Sequence, residues 1–299
     1  MSDLKCIPKE HFKNYPLLAR LLELHTVPKE IHLLGTLPEI TLDEYGRATP
    51  RILTIVGSRK NTTYGKQVLE MLLASLKNQN VLIVSGLALG IDGLAHKNAL
   101  RNNLKTIAIP GSGLNEKVLY PSAHKNLAKE ILASDGLLIS EFPLDTQAAP
   151  WTFPMRNRIM AALSDAVLIV EAEEKSGTLI TARQSLELGR DIGAIPGDIF
   201  SPTAQGTNML IREGAYAITS SQNLFDLLHL LEEKTQVLTQ EKKYSEYESI
   251  IMKTLREPLD KDTLFTSTKL SFENFITAFS SLELQGHIKE TFGEVRRIV

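Results

Sequence analysis

An arginine directly follows a glycine turn where the first long apolar run of the sequence ends. The run covers residues 52–56, and Gly57, Ser58 and Arg59 come after it. A guanidinium group binds phosphate with two parallel hydrogen bonds, and a salt bridge to a carboxylate in a neighbouring loop is the structural alternative. Because Arg59 follows a predicted strand end, the sequence favours phosphate binding.

Two more arginines lie in a segment that also carries aromatic residues. Arg156 and Arg158 fall in the first turn of a predicted helix, where a positive charge opposes the helix dipole. Stability alone does not explain that placement, and function is expected where a local rule is broken. Asn157 adds an amide donor, and Trp151 and Phe153 can stack on the bases of a single strand, although core packing explains Phe153 equally well.

Glycine turns follow other predicted strands in the same way. The segment from Val81 to Gly93 ends a β-branched run in a glycine turn and then leads into a helix. Backbone N–H groups and the positive end of the helix dipole attract an anion at such a junction. The remaining predicted phosphate-binding positions in these turns are Ser85, Gly86, Gly111, Ser112, Gly113, Lys175, Ser176, Gly177 and Thr178.

These turns are positioned by strands that alternate with helices along residues 51–231. This alternation predicts an α/β fold with a parallel sheet covered by helices on both faces. The turns then lie at the carboxyl ends of the strands, where open sheets bind ligands. We expect residues 1–50 to form a short N-terminal extension, residues 232–246 a linker, and residues 247–299 a winged-helix-like domain in which Ser271 caps a helix.

Composition narrows the class of protein. The 299 residues carry a net charge of −2, but residues 51–110 hold eight basic and two acidic side chains. Such a local excess can attract a polyanion. The single cysteine, Cys6, fits a reducing cytoplasm, and no apolar run is long enough to span a membrane. The seven histidines share no ligand spacing, so we expect no metal site.

Common nucleotide-binding motifs fit poorly. Seven residues separate the glycines of the Gly57–Lys66 segment, whereas a Walker A loop has four, and Gln67 replaces the Ser or Thr that should follow the lysine. Glu116 stands where a dinucleotide fingerprint has its third glycine. ATP hydrolysis of this type and NAD binding are therefore weak hypotheses. Glu141 and Glu171 end predicted strands, and we interpret them as residues that order loops.

Taken in order, the motifs of residues 50–220 resemble the DprA/Smf family of DNA-processing proteins. The segments that carry the resemblance are Val56-Gly57-Ser58-Arg59, Ser85-Gly86-Leu87-Ala88, Gly90-Ile91-Asp92, Tyr120-Pro121, Ser140-Glu141, Phe153-Pro154-Met155-Arg156-Asn157-Arg158-Ile159, Ser176-Gly177-Thr178-Leu179-Ile180-Thr181-Ala182, Ile195-Pro196-Gly197, Gly206-Thr207-Asn208 and Gly214-Ala215. The resemblance implies an extended Rossmann-like domain that binds single-stranded DNA, forms a homodimer and loads the RecA recombinase during natural transformation. It implies no catalytic activity and no cofactor.

Two alternatives stay open. Nucleoside-monophosphate phosphoribohydrolases use a Pro-Gly-Gly-x-Gly-Thr-x-x-Glu loop, and Ser176-Gly177-Thr178 resembles its Gly-Thr part. Lys175 and Ser176 stand where the Gly-Gly-x segment of that loop should be, however, and Ile180 and Thr181 occupy the positions where the catalytic carboxylate would follow. The other alternative is an adaptor that acts through residues 247–299.

Overall fold

Two compact units make up the chain, and they divide between residues 231 and 232. The residues that the computed structural model describes are 4–230, 244–255, 257–291 and 293–297. The predicted linker of residues 232–246 lies outside the described residues as far as residue 243. Among the described residues, no helix combines the length and the apolar character that crossing a bilayer requires.

The first unit is built on a nine-stranded sheet. The strands of this unit are β1 (Leu4–Pro8), β2 (Glu30–Gly35), β3 (Thr41–Leu42), β4 (Ala48–Thr49), β5 (Arg51–Val56), β6 (Val81–Ser85), β7 (Thr106–Ala108), β8 (Leu137–Ser140), β9 (Ala166–Ile169), β10 (Asp191–Ala194) and β11 (Tyr216–Ala217). The order in the sheet is β1-β2-β8-β7-β6-β5-β9-β10-β11, and β3 and β4 pair separately.

The predicted α/β fold is confirmed, but the sheet is mixed rather than entirely parallel. The strands from β8 across to β11 all pair in parallel, as predicted. In contrast, β1 pairs antiparallel with β2, and β2 pairs antiparallel with β8. Antiparallel neighbours need no crossover helix, so the short helical turns between β1 and β2 suffice to connect them.

Helices cover both faces of the sheet. The helices of the first unit are α1 (Pro16–Ala19), α2 (Thr63–Ser75), α3 (Ile91–Arg101), α4 (Lys125–Ala133), α5 (Thr152–Leu163), α6 (Gly177–Glu187), α7 (Pro202–Arg212) and α8 (Ser221–Leu227), with 3-10 turns at Lys9–Asn14, Arg20–Glu23 and Ser122–His124. Side chains of β5 alternate between the faces. Ile52 and Val56 pack with α5 and α6, whereas Leu53 and Ile55 pack with α2, α3 and α8.

The strand order reverses between β5 and β9. From β5 the chain places β6, β7 and β8 on one side, and it then returns to place β9, β10 and β11 on the other. Helix α2, which follows β5, packs on one face, and α6, which follows β9, packs on the opposite face. The loops that leave β5 and β9 therefore diverge. The crevice between such loops is where open α/β sheets bind ligands.

The second unit is small and has its own core. Its elements are α9 (Glu246–Thr254), β12 (Leu259–Asp260), α10 (Lys261–Thr268), α11 (Phe272–Leu284), β13 (Ile288–Thr291) and β14 (Glu294–Arg297). The strands form an antiparallel sheet in the order β12-β14-β13. Phe275 and Phe279 of α11 pack against Val295 of β14 in this core. Ser271 caps α11 by accepting the backbone N–H of Asn274, which confirms the predicted helix start.

Candidate functional site

A pocket of about 370 Å³ lies at the crevice between the β5 and β9 loops. Its walls are the loop after β5, the first turns of α5 and the loop that enters α6, and we call it the switch-point pocket. The predicted phosphate-binding residues that line it are Gly57, Ser58, Arg59, Phe153, Arg156, Asn157, Ser176, Gly177 and Thr178. The fold therefore brings three segments that are distant in the sequence to one place.

Arg59 is an exposed cation of this pocket. Its guanidinium carbon lies 5.0 Å from the centroid of the Phe153 ring, and the Tyr120 ring lies 5.7 Å from the same ring. A cation–π contact of this kind orients the guanidinium and leaves its N–H edge available to a ligand. Lys60 is also exposed in the lining, and the sequence analysis did not assign it. Its position next to Arg59 at the end of a predicted strand is the sequence feature that indicates Lys60 as a pocket residue.

Close packing against the start of α3 positions the Arg59 loop. The backbone N–H of Ile91 donates to the carbonyl oxygen of Ser58 over 3.1 Å. Gly90 has a φ of +76°, and a Cβ there would lie 2.2 Å from that same oxygen. A Cβ on Gly57 would lie 2.7 Å from a side-chain carbon of Ile91. The backbone of the loop of residues 57–59 therefore packs against the N-terminus of α3. It occupies the place where the sequence predicted a bound anion.

A buried carboxylate fixes the far end of the same loop. Glu171 accepts hydrogen bonds from the backbone N–H of Thr62 over 3.0 Å and from its hydroxyl over 2.5 Å. Thr62 in turn caps α2 by accepting the backbone N–H of Gly65. A Cβ on Gly65 would lie 2.5 Å from the Glu171 carboxyl group. The interpretation of Glu171 as a residue that orders a loop is confirmed.

Arg156 lies at the base of the pocket and is only 5% exposed. Its Nη1 donates to the carbonyl oxygens of Gly86 and Ile109, the second over 2.7 Å. Burial raises the pKa of the Asp92 carboxyl, and the positive charge of Arg156 opposes that rise. Burial likewise lowers the pKa of Arg156, and Asp92 opposes that change. Arg156 is thus an internal cation that backbone carbonyl oxygens hold, and the buried Asp92, which the sequence did not single out, favours its charge.

The N-terminus of α6 opens into the pocket. Ser176 is the cap of this helix, and its hydroxyl accepts the backbone N–H of Thr178 over 3.1 Å. Gly177 is exposed, and a Cβ built on it would meet no atom within 4 Å. Helix N-termini present N–H groups and a positive dipole end to an anion. This turn therefore offers open space for a ligand group next to the start of the helix.

Two of the predicted glycine turns pack inside the protein. They comprise Ser85, Gly86, Gly111, Ser112 and Gly113. Both serine side chains are buried, and their hydroxyls donate to backbone carbonyl oxygens. A Cβ on any of the three glycines would lie 2.6 Å or less from a neighbouring atom. Close packing accounts for these residues, so we leave them out of the proposed binding surface.

Arg158 lies outside the pocket lining. Helix α5 begins at Thr152, so Arg156 and Arg158 both fall beyond its first turn rather than in it, and the dipole argument does not apply to them. Arg158 forms an ion pair with Glu141 and also donates to the carbonyl oxygen of Thr26. Burial raises the pKa of Glu141, and Arg158 opposes that rise. Arg158 therefore has the structural role of an ion-pair partner of Glu141, the kind of role that was the alternative for Arg59.

Trp151 and Lys175 are exposed but also lie outside the lining. Trp151 is 56% exposed, and its ring meets the Phe142 ring edge-on with centroids 5.6 Å apart. Lys175 directly precedes the cap of α6. Both residues remain predictions for contacts with a ligand that extends beyond the pocket.

Residues 8–229 match the model of a family described as DNA recombination-mediator protein A. The Smf protein of Escherichia coli is 44% identical over 176 residues, which are 59% of this chain and 46% of that protein. DprA of Bacillus subtilis is 40% identical over 216 residues, which are 72% of this chain and 69% of that protein. The chain thus spans about half the length of the Escherichia coli relative.

Solved structures of similar proteins agree with this match. DprA from Streptococcus pneumoniae aligns with a TM-score of 0.66 and 36% identity over 75% of this chain and 74% of its own. DprA from Helicobacter pylori, studied for its single-stranded DNA binding mode, aligns with a TM-score of 0.61 and 30% identity over 77% of this chain and 98% of its own. Because the family model matches well over half of the sequence, the chain belongs to the DNA recombination-mediator protein A family.

Proposed function

We propose that the switch-point pocket binds the sugar–phosphate backbone of single-stranded DNA, with little sequence preference and without catalysis. The observation that carries the proposal is the convergence of an exposed guanidinium, an aromatic ring and an open helix N-terminus on one pocket. Family membership and the single-stranded DNA binding mode of the Helicobacter pylori relative support it.

Each group has a role that its chemistry suits. A phosphate placed between Arg59 and the first N–H groups of α6 receives charge-assisted hydrogen bonds from one side and the positive helix end from the other. A neighbouring base can stack on an exposed ring, and Trp151 offers such a ring next to the pocket. Stacking and phosphate contacts do not distinguish one base from another, so binding has low sequence preference.

The test is the salt dependence of binding to an unstructured oligonucleotide, measured by fluorescence anisotropy. Each phosphate neutralised on a single strand contributes about 0.7 to the slope of log K against log salt. Arg59→Ala is therefore expected to weaken binding and to reduce that slope by about 0.7. The matched control is Arg101→Ala, because Arg101 is also an exposed arginine but lies on α3 outside the pocket lining.

Two results contradict the proposal. Equal affinities and equal slopes for Arg59→Ala, Arg101→Ala and the unaltered protein would remove the pocket from DNA binding. Release of free base from a nucleoside monophosphate by the purified protein would instead identify the chain as a phosphoribohydrolase.

The finer part of the proposal follows from the family. We propose that the chain acts in the cytoplasm as a homodimer and loads RecA onto the bound strand during natural transformation. The test is RecA filament formation on an oligonucleotide that is already covered by single-strand binding protein. The unaltered chain is expected to accelerate it, and Arg59→Ala is expected to do so less.

We also propose that residues 51–231 carry DNA binding and that residues 247–299, as a winged-helix-like domain, contact another protein. The helix α11 has acidic residues and no Lys or Arg, which disfavours groove binding. Lys289→Ala combined with Arg297→Ala is expected to leave single-strand affinity unchanged. A loss as large as that of Arg59→Ala would assign DNA binding to this domain as well.

A further inference from the structure

Three side chains of metal-ligating type meet at the edge of the sheet. The Cys6 thiol, the Glu30 carboxylate and the His32 imidazole place one ligand atom each within 4.8 Å of one another. Among the residues that the structure describes, Cys6, Glu30 and His32 are the three metal-ligating side chains whose ligand atoms lie this close together. It lies on β1 and β2, away from the residues that line the switch-point pocket.

Strand pairing creates the group. Cys6 of β1 is the register partner of His32 on β2, so their side chains stand on the same face of the sheet. Glu30 precedes His32 by two residues on the same strand and therefore points to that face as well. Ligand spacing along the sequence did not reveal the group, because the antiparallel pairing brings Cys6 to residues far along the chain.

One nitrogen of the imidazole lacks a hydrogen-bond partner. His32 is only 8% exposed, and its Nε2 is buried without a hydrogen bond among the described residues. Glu30 Oε1 lies 3.2 Å from this nitrogen, at the distance of an ion pair but outside the geometry of a hydrogen bond. Buried polar atoms are normally satisfied, and an unsatisfied one calls for an explanation such as an ion.

We propose that Cys6, Glu30 and His32 form a binding site for Zn²⁺. Thiolate sulfur, imidazole nitrogen and carboxylate oxygen are the three donor types that Zn²⁺ takes in proteins, whereas Mg²⁺ and Ca²⁺ select oxygen donors. A tetrahedral zinc ion holds its ligand atoms roughly 3.5 Å apart. Small side-chain rotations bring the present atoms to that spacing, because Cys6 and Glu30 are not buried.

The proposed ion would link the N-terminal strand to the sheet. β1 is an edge strand whose partner in the sheet is β2, and the ion would bridge the two strands through side chains. Coordination replaces the proton of the Cys6 thiol, which is released to solvent. Three protein ligands leave a fourth position for water, which reaches it through the exposed side of Cys6.

The test uses the full chain without an affinity tag and Zn²⁺ or Co²⁺ alone as the probe. Calorimetric titration is expected to show one Zn²⁺ per chain. Co²⁺ is expected to give a thiolate-to-cobalt charge-transfer band in the near ultraviolet. Cys6→Ser should abolish that band, and Cys6→Ser and His32→Gln should each weaken Zn²⁺ binding by roughly tenfold or more.

His11→Gln is the matched control, since His11 is an exposed histidine of the same N-terminal region. This variant should bind Zn²⁺ like the unaltered protein, and Zn²⁺ should raise the melting temperature of both by mass action. Circular dichroism of the apo forms shows whether each variant is folded. The proposal is overturned if the unaltered protein does not bind one Zn²⁺, or if folded Cys6→Ser and His32→Gln bind it as tightly as His11→Gln.

Discussion

Replacing Arg156 with methionine tests whether this arginine stabilises the fold or contacts DNA. Arg156 is 5% exposed and donates to two backbone carbonyl oxygens, and the buried Asp92 carboxyl favours its charge. Methionine keeps an unbranched side chain of similar length but removes the charge and every donor. Without Arg156, one positive charge fewer opposes the effect of burial on the Asp92 carboxyl, and two carbonyl oxygens lose their partners.

The expected loss of stability is about 3–6 kcal/mol, because Arg156 makes two buried hydrogen bonds to carbonyl oxygens and a hydrogen bond to a charged group contributes about 1.5–3 kcal/mol. For a unit of roughly 150–250 residues, 1 kcal/mol lowers the melting temperature by about 2–4 °C. Arg156→Met should therefore melt about 6–24 °C below the unaltered protein. Arg59→Ala should change stability by less than about 0.5 kcal/mol, because Arg59 is exposed.

Calorimetry and urea unfolding measure the stabilities, and anisotropy at low temperature measures DNA affinity. Adding Asp92→Asn to Arg156→Met should recover part of the lost stability, since a neutral amide replaces the buried carboxyl whose charged form Arg156 favoured. Arg156→Met, while folded, should keep the salt slope of the unaltered protein. An Arg156→Met protein that melts normally but loses DNA binding as Arg59→Ala does would refute this reasoning and make Arg156 a phosphate ligand.

Two further predictions follow from the packing around the pocket. Gly177→Ala should fold normally, because its Cβ meets no atom within 4 Å. Gly90→Ala should be clearly destabilised, because Gly90 has a φ of +76° and its Cβ would lie 2.2 Å from a carbonyl oxygen. Equal melting temperatures of the two variants would contradict the packing described for this loop. Burial, the largest cause, and the nearby His124 lower the pKa of His96 to about 3. Below about pH 6.5, His96 therefore binds a proton in the unfolded chain but not in the folded protein. The free energy of unfolding decreases as the pH falls from there toward 3. Between pH 7 and pH 5 the unaltered protein should lose about 2 kcal/mol more than folded His96→Asn in urea unfolding, and parallel losses would show that His96 is not responsible.

Local patterns in the sequence were sufficient for the central sheet. Along β5 the apolar side chains face both ways, which is the signature of a strand buried on both faces. The glycine turn that follows it could be assigned to the carboxyl end of a parallel strand without any structure. The antiparallel strands at the edge escaped prediction, because their pairing depends on residues 4–35 meeting β8, which is distant in the sequence.

The hydrogen-bond partners of individual polar residues could not be predicted from local sequence patterns. The partners of Arg156, the carbonyl oxygens of Gly86 and Ile109, lie 70 and 47 residues away in the sequence. Glu171 and Thr62 are 109 residues apart. Whether an arginine at a predicted strand end or helix start points outward is decided by such distant acceptors. Which polar side chains are buried, and with which partners, could therefore be learned only from the fold. The prediction of a phosphate-binding type of site needed the sequence alone.

The contrast between Arg59 and Arg156 shows how one crevice accommodates two cations. Both line the same pocket, and two guanidinium groups without compensation would repel each other there. Burial raises the pKa of the Asp92 carboxyl, and the positive charges of both arginines oppose that rise. The exposed charged residues of the lining are Arg59, Lys60 and Glu173, which together carry a net charge of +1. We expect such a site to lose affinity for a polyanion when Arg59 and Lys60 are removed, and the surrounding loops to lose stability when Arg156 is replaced.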